Sequence, residues 1–99
     1  MAIVVRFTPE GFTTAKYDEC IKKLQQVGAG SPAGRLYHVC FGDENNLRVS
    51  DIWESQEAFD KFRGTLKPVL EELQIDPGTP EVVKVHNVIL GAQTAASGR

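Results

Sequence analysis

Residues Arg48 to Glu57 are the joint that the rest of the chain has to be arranged around. Val49, Asp51 and Trp53 alternate with Arg48, Ser50 and Ile52 at the period of a strand. The only tryptophan in the sequence closes that strand. Ser55 is a good N-cap residue, and Glu57 falls in the first helical turn, where the helix dipole favours an acid. The stretch therefore reads as a strand that hands over directly to a helix. Upstream of it lies a strand–helix–strand pattern, and downstream a helix–strand pattern.

The upstream half begins with Ala2 to Thr8, an apolar run rich in β-branched residues and expected to be a strand buried on both faces. Pro9-Glu10-Gly11 breaks it. Thr13 or Thr14 caps a helix running to about Val27, with Asp18 and Glu19 early in it. Tyr17, Cys20, Ile21, Leu24 and Val27 make a narrow apolar stripe, and Gly28 supplies the stop. Gly28 to Gly34 holds three glycines but lacks the Lys-Ser/Thr ending of a phosphate loop and follows a helix, so it reads as a plain flexible connection. Arg35 to Phe41 and Leu47 to Glu54 are strands joined by a turn cluster at Gly42 to Asn46, an antiparallel hairpin.

Downstream, Ala58, Phe59, Phe62, Leu66, Val69, Leu70 and Leu73 keep one helical phase across Gly64 and Pro68. A proline inside a helix costs about 3 kcal/mol, so a kinked helix or two short helices sharing one buried face is expected. Asp76 to Pro80 is a loop. Glu81 to Leu90 returns to strand character, with Val83, Val85 and Ile89 on one face. Residues 1–90 are taken as a single α+β domain and 91–99, small and polar, as a disordered tail.

The resulting order is βαββαβ, with helices of about 15 and about 18 residues by pattern counting. Right-handed crossovers turn this order into a ferredoxin-like four-stranded antiparallel sheet with both helices on one face. Strand 1 is apolar in both parities, with Ile3, Val5 and Phe7 in one and Ala2 and Val4 in the other. Helices cover one face only. The second apolar set calls for a homodimer packing sheet against sheet through the open face.

Charge and composition remove several classes of function. A formal net charge of −2 provides no basic field for nucleic acid or for acidic membranes. The first residues lack a basic leader with a long apolar run, and no stretch approaches the roughly 18 apolar residues of a membrane span. Cys20 and Cys40 form no CxxC pair and read as free thiols in a reducing cytoplasm.

The joint Asp51-Ile52-Trp53-Glu54-Ser55, followed by Glu57, Ala58 and Phe59, resembles the dimeric α/β barrel superfamily and within it the small proteins related to antibiotic-biosynthesis monooxygenases. Pro68 late in the second helix and the last strand Val85-His86-Asn87-Val88 fit the same group. The resemblance implies the fold and a dimer. It leaves function wide, because members include oxygenases, haem degraders, decarboxylase-type enzymes and proteins of unknown role. Haem-degrading members use an asparagine on strand 1, a tryptophan ending strand 3 and a histidine on helix 2. Trp53 matches the second, but strand 1 has no asparagine and Gln56 to Leu73 no histidine. Haem degradation is disfavoured, and no cofactor is expected. Cofactor-independent, quinone-forming oxygenation of a small aromatic or apolar ligand stays open, since it asks for a shaped pocket with a few polar groups.

His38, Asp51 and His86 are the candidate catalytic residues, and Trp53, Phe59, Phe62 and Tyr37 the candidate ligand-binding ones. With a two-residue turn at Glu44-Asn45, His38 falls opposite Asp51 and Leu36 opposite Trp53. A three- or five-residue loop sets Tyr37 opposite Asp51 instead. A carboxylate beside a histidine orients the ring and supports its charged form, as a general base requires. The same pair can equally be a structural hydrogen bond, Trp53 a core plug, and Phe59 and Phe62 ordinary helix burial. Neither histidine has a companion at metal-ligand spacing, so no metal is expected.

Overall fold

The computed structural model describes residues 1–91; the tail expected at 91–99 lies, from residue 92 on, outside them. Six elements follow in the order β1 (Ile3–Phe7), α1 (Thr14–Gln26), β2 (Arg35–Asp43), β3 (Asn46–Trp53), α2 (Gln56–Glu72) and β4 (Glu81–Lys84). The strands form one antiparallel sheet in the order β2-β3-β1-β4, the ferredoxin-like arrangement expected from the βαββαβ pattern.

One sheet face is buried under the helices. Ile3 and Val5 of β1 and Leu47, Asp51 and Trp53 of β3 point into it. Cys20 and Leu24 from α1 and Phe59, Phe62, Val69 and Leu70 from α2 close the core. Trp53, Phe59 and Val5 are the most completely buried large side chains. The Trp53 and Phe59 rings lie 5.8 Å apart at a tilt of 58°. Such aromatic pairs contribute about 0.5–1.5 kcal/mol beyond their burial. The opposite face carries Tyr37, Ile52, Val4 and Val83 in one row across all four strands. No described element covers that face, so among the described residues β1 is buried on one side only.

The helix ends follow from local chemistry. Thr13 caps α1 by accepting from the Lys16 N–H, and Ser55 caps α2 by accepting from the Ala58 N–H at 3.0 Å. Asp18 and Glu19 fall beyond the first turn of α1, so Glu57 of α2 is the one acid that meets a helix dipole as expected. Both helices end in a Schellman turn: Ala29 N–H donates to the Leu24 carbonyl at 2.7 Å, and Ile75 N–H to the Leu70 carbonyl at 2.9 Å. Gly28 provides the left-handed residue in the first turn; Gln74, at φ 57°, has to do so in the second.

Three elements differ from expectation. Of the two forms expected for α2, a kinked helix or two short ones, the second does not occur: one helix runs through Pro68. Pro68 and Gly64, whose carbonyl loses its donor, both face solvent, so water can take the missing hydrogen bond. β4 stops at Lys84 instead of Leu90, because its ladder on β1 ends with Val85 N–H donating to the Ala2 carbonyl at 3.0 Å. The glycine loop before β2 is not a loose connection. Gly34 takes φ 88°, its carbonyl accepts from Glu54 N–H at 2.8 Å, and it lies against the first turn of α2.

Candidate functional site

The hairpin decides the site. Asp43 pairs Asn46, so the turn is the two-residue Glu44-Asn45, and His38 pairs Asp51 on the helix-covered face. Backbone bonds tie this hairpin to the loop preceding α1. Leu47 N–H donates to the Phe12 carbonyl at 2.7 Å, and Thr14 N–H to the Glu44 carbonyl at 3.1 Å. The Gly11 N–H donates to Asn46 Oδ1 at 3.1 Å. This clamp holds the first turn of α1 over β2, and Tyr17 comes down onto His38.

A chain of four side chains results. Tyr17 Oη lies 2.7 Å from His38 Nε2, and His38 Nδ1 lies 2.6 Å from Asp51 Oδ1. The Trp53 indole N–H donates to Asp51 Oδ2 at 3.3 Å. An ionised Asp51 can only accept, so His38 donates from Nδ1, and the neutral ring's Nε2 accepts the Tyr17 hydroxyl. Asp51 is the one buried charged residue among those described, and both its oxygens are engaged. Trp53, fully buried, therefore touches the site through its nitrogen while its rings pack on Phe59 and Phe62.

The chain ends at a cavity of about 70 Å³ between sheet and helices. Its walls are mainly apolar, with Phe7, Phe12, Leu24, Phe62, Leu66 and Leu70 prominent, and His38, Asp51, Tyr17 and Arg35 supply the polar groups. Ile75 and Pro77, from the loop after α2, cover one side. Beyond them runs a surface groove of about 620 Å³ that shares Phe7, Leu66, Leu70, Ile75 and Pro77 with the cavity.

The candidate residues separate clearly. His38, Asp51 and Phe62 meet at the cavity. Trp53 and Phe59 stand behind its wall as core. Tyr37 pairs Ile52 on the open face and is 51% exposed, so it does not reach the cavity. His86 lies past the end of β4, exposed and apart from His38 and Asp51. Leu36 does not face Trp53. The register slips by one residue between Arg35 and Tyr37, Leu36 is the extra residue, and Arg35 pairs Trp53 instead. Sequence reasoning left Tyr17 in the apolar stripe of α1 and did not place Arg35 at the site. The phenol in an otherwise aliphatic stripe was the available signal for Tyr17. For Arg35, a bulge is not written in residue spacing.

Burial pushes the Tyr17 phenol above its usual range; Cys40 and Asp51 push the same way, and Arg35 opposes them. Burial also raises the thiols of Cys20 and Cys40, with Asp18 adding to the latter. All three are neutral in the folded protein at pH 7. A group whose folded value is raised stabilises fully below its unfolded value and loses that contribution as pH rises through the folded one. Folding stability is therefore expected to decline from pH 9 upward, starting at the unfolded thiol value of 9.0 and then at the phenol value of 10.0. Urea midpoints at pH 8 and pH 10.5 should show a fall that is smaller in Tyr17→Phe.

Among the described residues no group of three or more metal-ligating side chains occurs, and no helix is long and apolar enough to cross a membrane. No family model matches the chain, and no curated protein matches it. Solved structures do. SnoaB, a cofactor-independent oxygenase from Streptomyces nogalater, is similar with a TM-score of 0.60 and 16% identity over 89% of this chain and 94% of that one. A candidate antibiotic biosynthesis monooxygenase from Chloroflexus aurantiacus gives 0.60 and 16% over 92% of this chain and 100% of that one. A Nitrosomonas europaea protein of unknown function gives 0.59 and 13% over 93% and 94%. At such identities the likeness is one of fold: the chain has the ferredoxin-like fold shared by the antibiotic-biosynthesis-monooxygenase-like structures.

Proposed function

We propose that the protein is a cofactor-independent, monooxygenase-like enzyme acting on a small hydroxylated aromatic ligand. The observation that carries this reading is the continuous Tyr17–His38–Asp51 hydrogen-bond chain opening into an apolar cavity. The ligand's acidic proton passes to Tyr17 as the Tyr17 proton passes to His38 Nε2, and Asp51 balances the imidazolium. The carbanion left on the ligand adds dioxygen at carbon. The imidazolium then returns a proton through Tyr17 to the distal peroxide oxygen. The relay takes the second C–H proton as the O–O bond breaks and gives it to the departing hydroxide, so a ring CH2 becomes C=O and one water leaves. Dioxygen is the four-electron oxidant, so the step balances without a bound metal or flavin. Oxygen uptake with anthrone-type substrates, lost on replacing His38, is the direct test.

A second reading, a non-catalytic small-ligand-binding or structural dimer, draws on one number. A cavity of about 70 Å³ is smaller than the about 150 Å³ that holds a benzene in an engineered protein core. A ring therefore enters only if Ile75 and Pro77 yield toward the neighbouring groove. A wild-type protein that binds aromatic ligands and never consumes oxygen with them would decide for this reading.

On either reading we expect a homodimer formed through the open face. Tyr37, Ile52, Val4 and Val83 make an apolar row there, with Tyr37 51% and Val83 48% exposed. Leaving such a row in water is unfavourable, and a second copy offers the same row in return. Sedimentation at micromolar concentration should give a dimer mass, and Ile52→Asp should give a monomer with unchanged far-UV circular dichroism. A wild-type monomer sinks the dimer. The free thiols at Cys20 and Cys40 fit a reducing compartment such as the cytoplasm.

A further inference from the structure

Among the described residues Arg35 is the only permanent cation lining the cavity. It is there because Leu36 is bulged out of β2, which turns Arg35 onto the helix-covered face opposite Trp53. One guanidinium nitrogen donates to the Gly30 carbonyl at 3.3 Å, and the group sits 5.9 Å from the centre of the Phe62 ring. Among the described residues it has no carboxylate partner. Asp51 is the only carboxylate among the described residues lining the cavity, and His38 and Trp53 already occupy its two oxygens. A guanidinium has five N–H donors in a planar fork, so most of its capacity is uncommitted.

A cation between apolar walls acts on an anion far more strongly than the same cation in water. Arg35 also opposes the rise that burial imposes on the Tyr17 phenol. The walls alone would take any ring of suitable size.

We propose that the cavity selects a planar aromatic anion, a carboxylate or an ionised hydroxyl, which Arg35 holds in a two-point pair while the ring packs against Phe62 and Leu66. This rests on the reading of the cavity as a ligand site and specifies the ligand that site takes. In the oxygenation proposed above, Arg35 then pairs with the oxygen end of the delocalised anion that the relay's proton removal leaves on the ligand, while its carbon end meets dioxygen.

Benzoate and benzamide have nearly the same shape and differ in charge, so they test the pairing directly. Binding to the full chain at pH 7, followed by ligand-observed NMR and calorimetry, should favour benzoate at least tenfold, about the ratio expected of a charge-assisted pair. Arg35→Gln should bring the two within twofold while the near-UV signal of Trp53 is kept. Arg35→Lys should keep part of the preference, because the charge remains and the fork is lost. If Arg35→Gln fails to fold, a preference undiminished in Arg35→Lys overturns the inference. Equal binding of both probes, no binding of either at millimolar concentration, or a preference intact in Arg35→Gln also overturns it. Oxygen uptake measured beside these titrations separates the two proposals. Uptake without a benzoate preference removes the Arg35 inference alone, whereas an Arg35-dependent preference without uptake on any hydroxylated aromatic removes the oxygenase reading alone.

Discussion

Replacing His38 with glutamine should lower oxygen uptake by about 10²- to 10⁴-fold, the range that a positioned general base contributes. His38 is the middle of the relay, bonded at 2.7 Å to Tyr17 and at 2.6 Å to Asp51. An amide at this position can keep a hydrogen bond to Asp51 but cannot take up a proton at neutral pH. Alanine is the poorer choice. It would leave the Asp51 carboxylate, 5% exposed in its side chain, without the donor at Oδ1, and leaving a buried polar group unsatisfied costs about 1–3 kcal/mol, more when it is charged. His38→Ala is thus expected to lose stability whether the pair is catalytic or structural, and only His38→Gln separates the two. Tyr17→Phe refines the test. If the proton travels through the phenol, uptake falls with His38→Gln and Tyr17→Phe alike. If His38 acts directly, removing the hydroxyl leaves Nε2 open and uptake persists. A folded His38→Gln protein with wild-type uptake would end the relay mechanism.

Gly34→Ala should be the most damaging single-methyl change in the chain, at about 2–4 kcal/mol from the sum of left-handed strain and overpacking. Gly34 sits at φ 88°, where a side chain is strained before it touches anything. An added Cβ would then lie 2.6 Å from the Ala58 Cβ in the first turn of α2 and 3.3 Å from the Glu54 side chain. Ala58 is short and has no rotamer to move, so helix or loop must shift. For a domain of this size each kcal/mol is worth roughly 4–8 °C in Tm, and thermal unfolding should show a loss of at least about 8 °C. Adding Ala58→Gly removes the contact and leaves the backbone strain, so the double variant should recover part of the loss. Gly28→Ala makes the internal comparison: its φ is also positive at 79°, but nothing lies within 4 Å of its added Cβ, so it should cost only the strain. Equal losses at Gly34 and Gly28 would show that the close approach to α2 has no energetic weight.

The sequence carried its helix and strand order well because that order depends on neighbours in the chain. Thr13 and Ser55 cap where expected, Gly28 ends α1, and α2 keeps one apolar phase from Ala58 to Leu73. The errors occur where a partner elsewhere in the chain sets the outcome. Glu81 to Leu90 has strand character throughout, yet only the part facing β1 becomes a strand. Gly28 to Gly34 has the composition of a flexible loop, yet Gly34 is pressed against α2.

The site divides along the same line. His38 and Asp51 could be named from residue type, but two turn lengths placed either His38 or Tyr37 opposite Asp51. The parity rule is strict, so one residue of turn length moves every side chain of the strand to the other face. Tyr37 and His86 were candidates as polar aromatic and imidazole groups on strands; they stand on the open face and beyond the last strand, away from the cavity. Tyr17 entered through a clamp of backbone bonds between the hairpin and the loop before α1, contacts that leave no trace in periodicity.

What the sequence determined by itself is the alternation of elements, and with it the ferredoxin-like sheet whose second apolar face is left uncovered. These follow from local propensity and from the periods of 3.6 and 2. What only the tertiary structure decided is which polar groups meet. The two-residue turn put His38 on Asp51, the clamp put Tyr17 on His38, and the bulge at Leu36 put Arg35 into the cavity. Each depends on register between segments distant in sequence, which is set by the packing of whole elements and not by any residue's own preference.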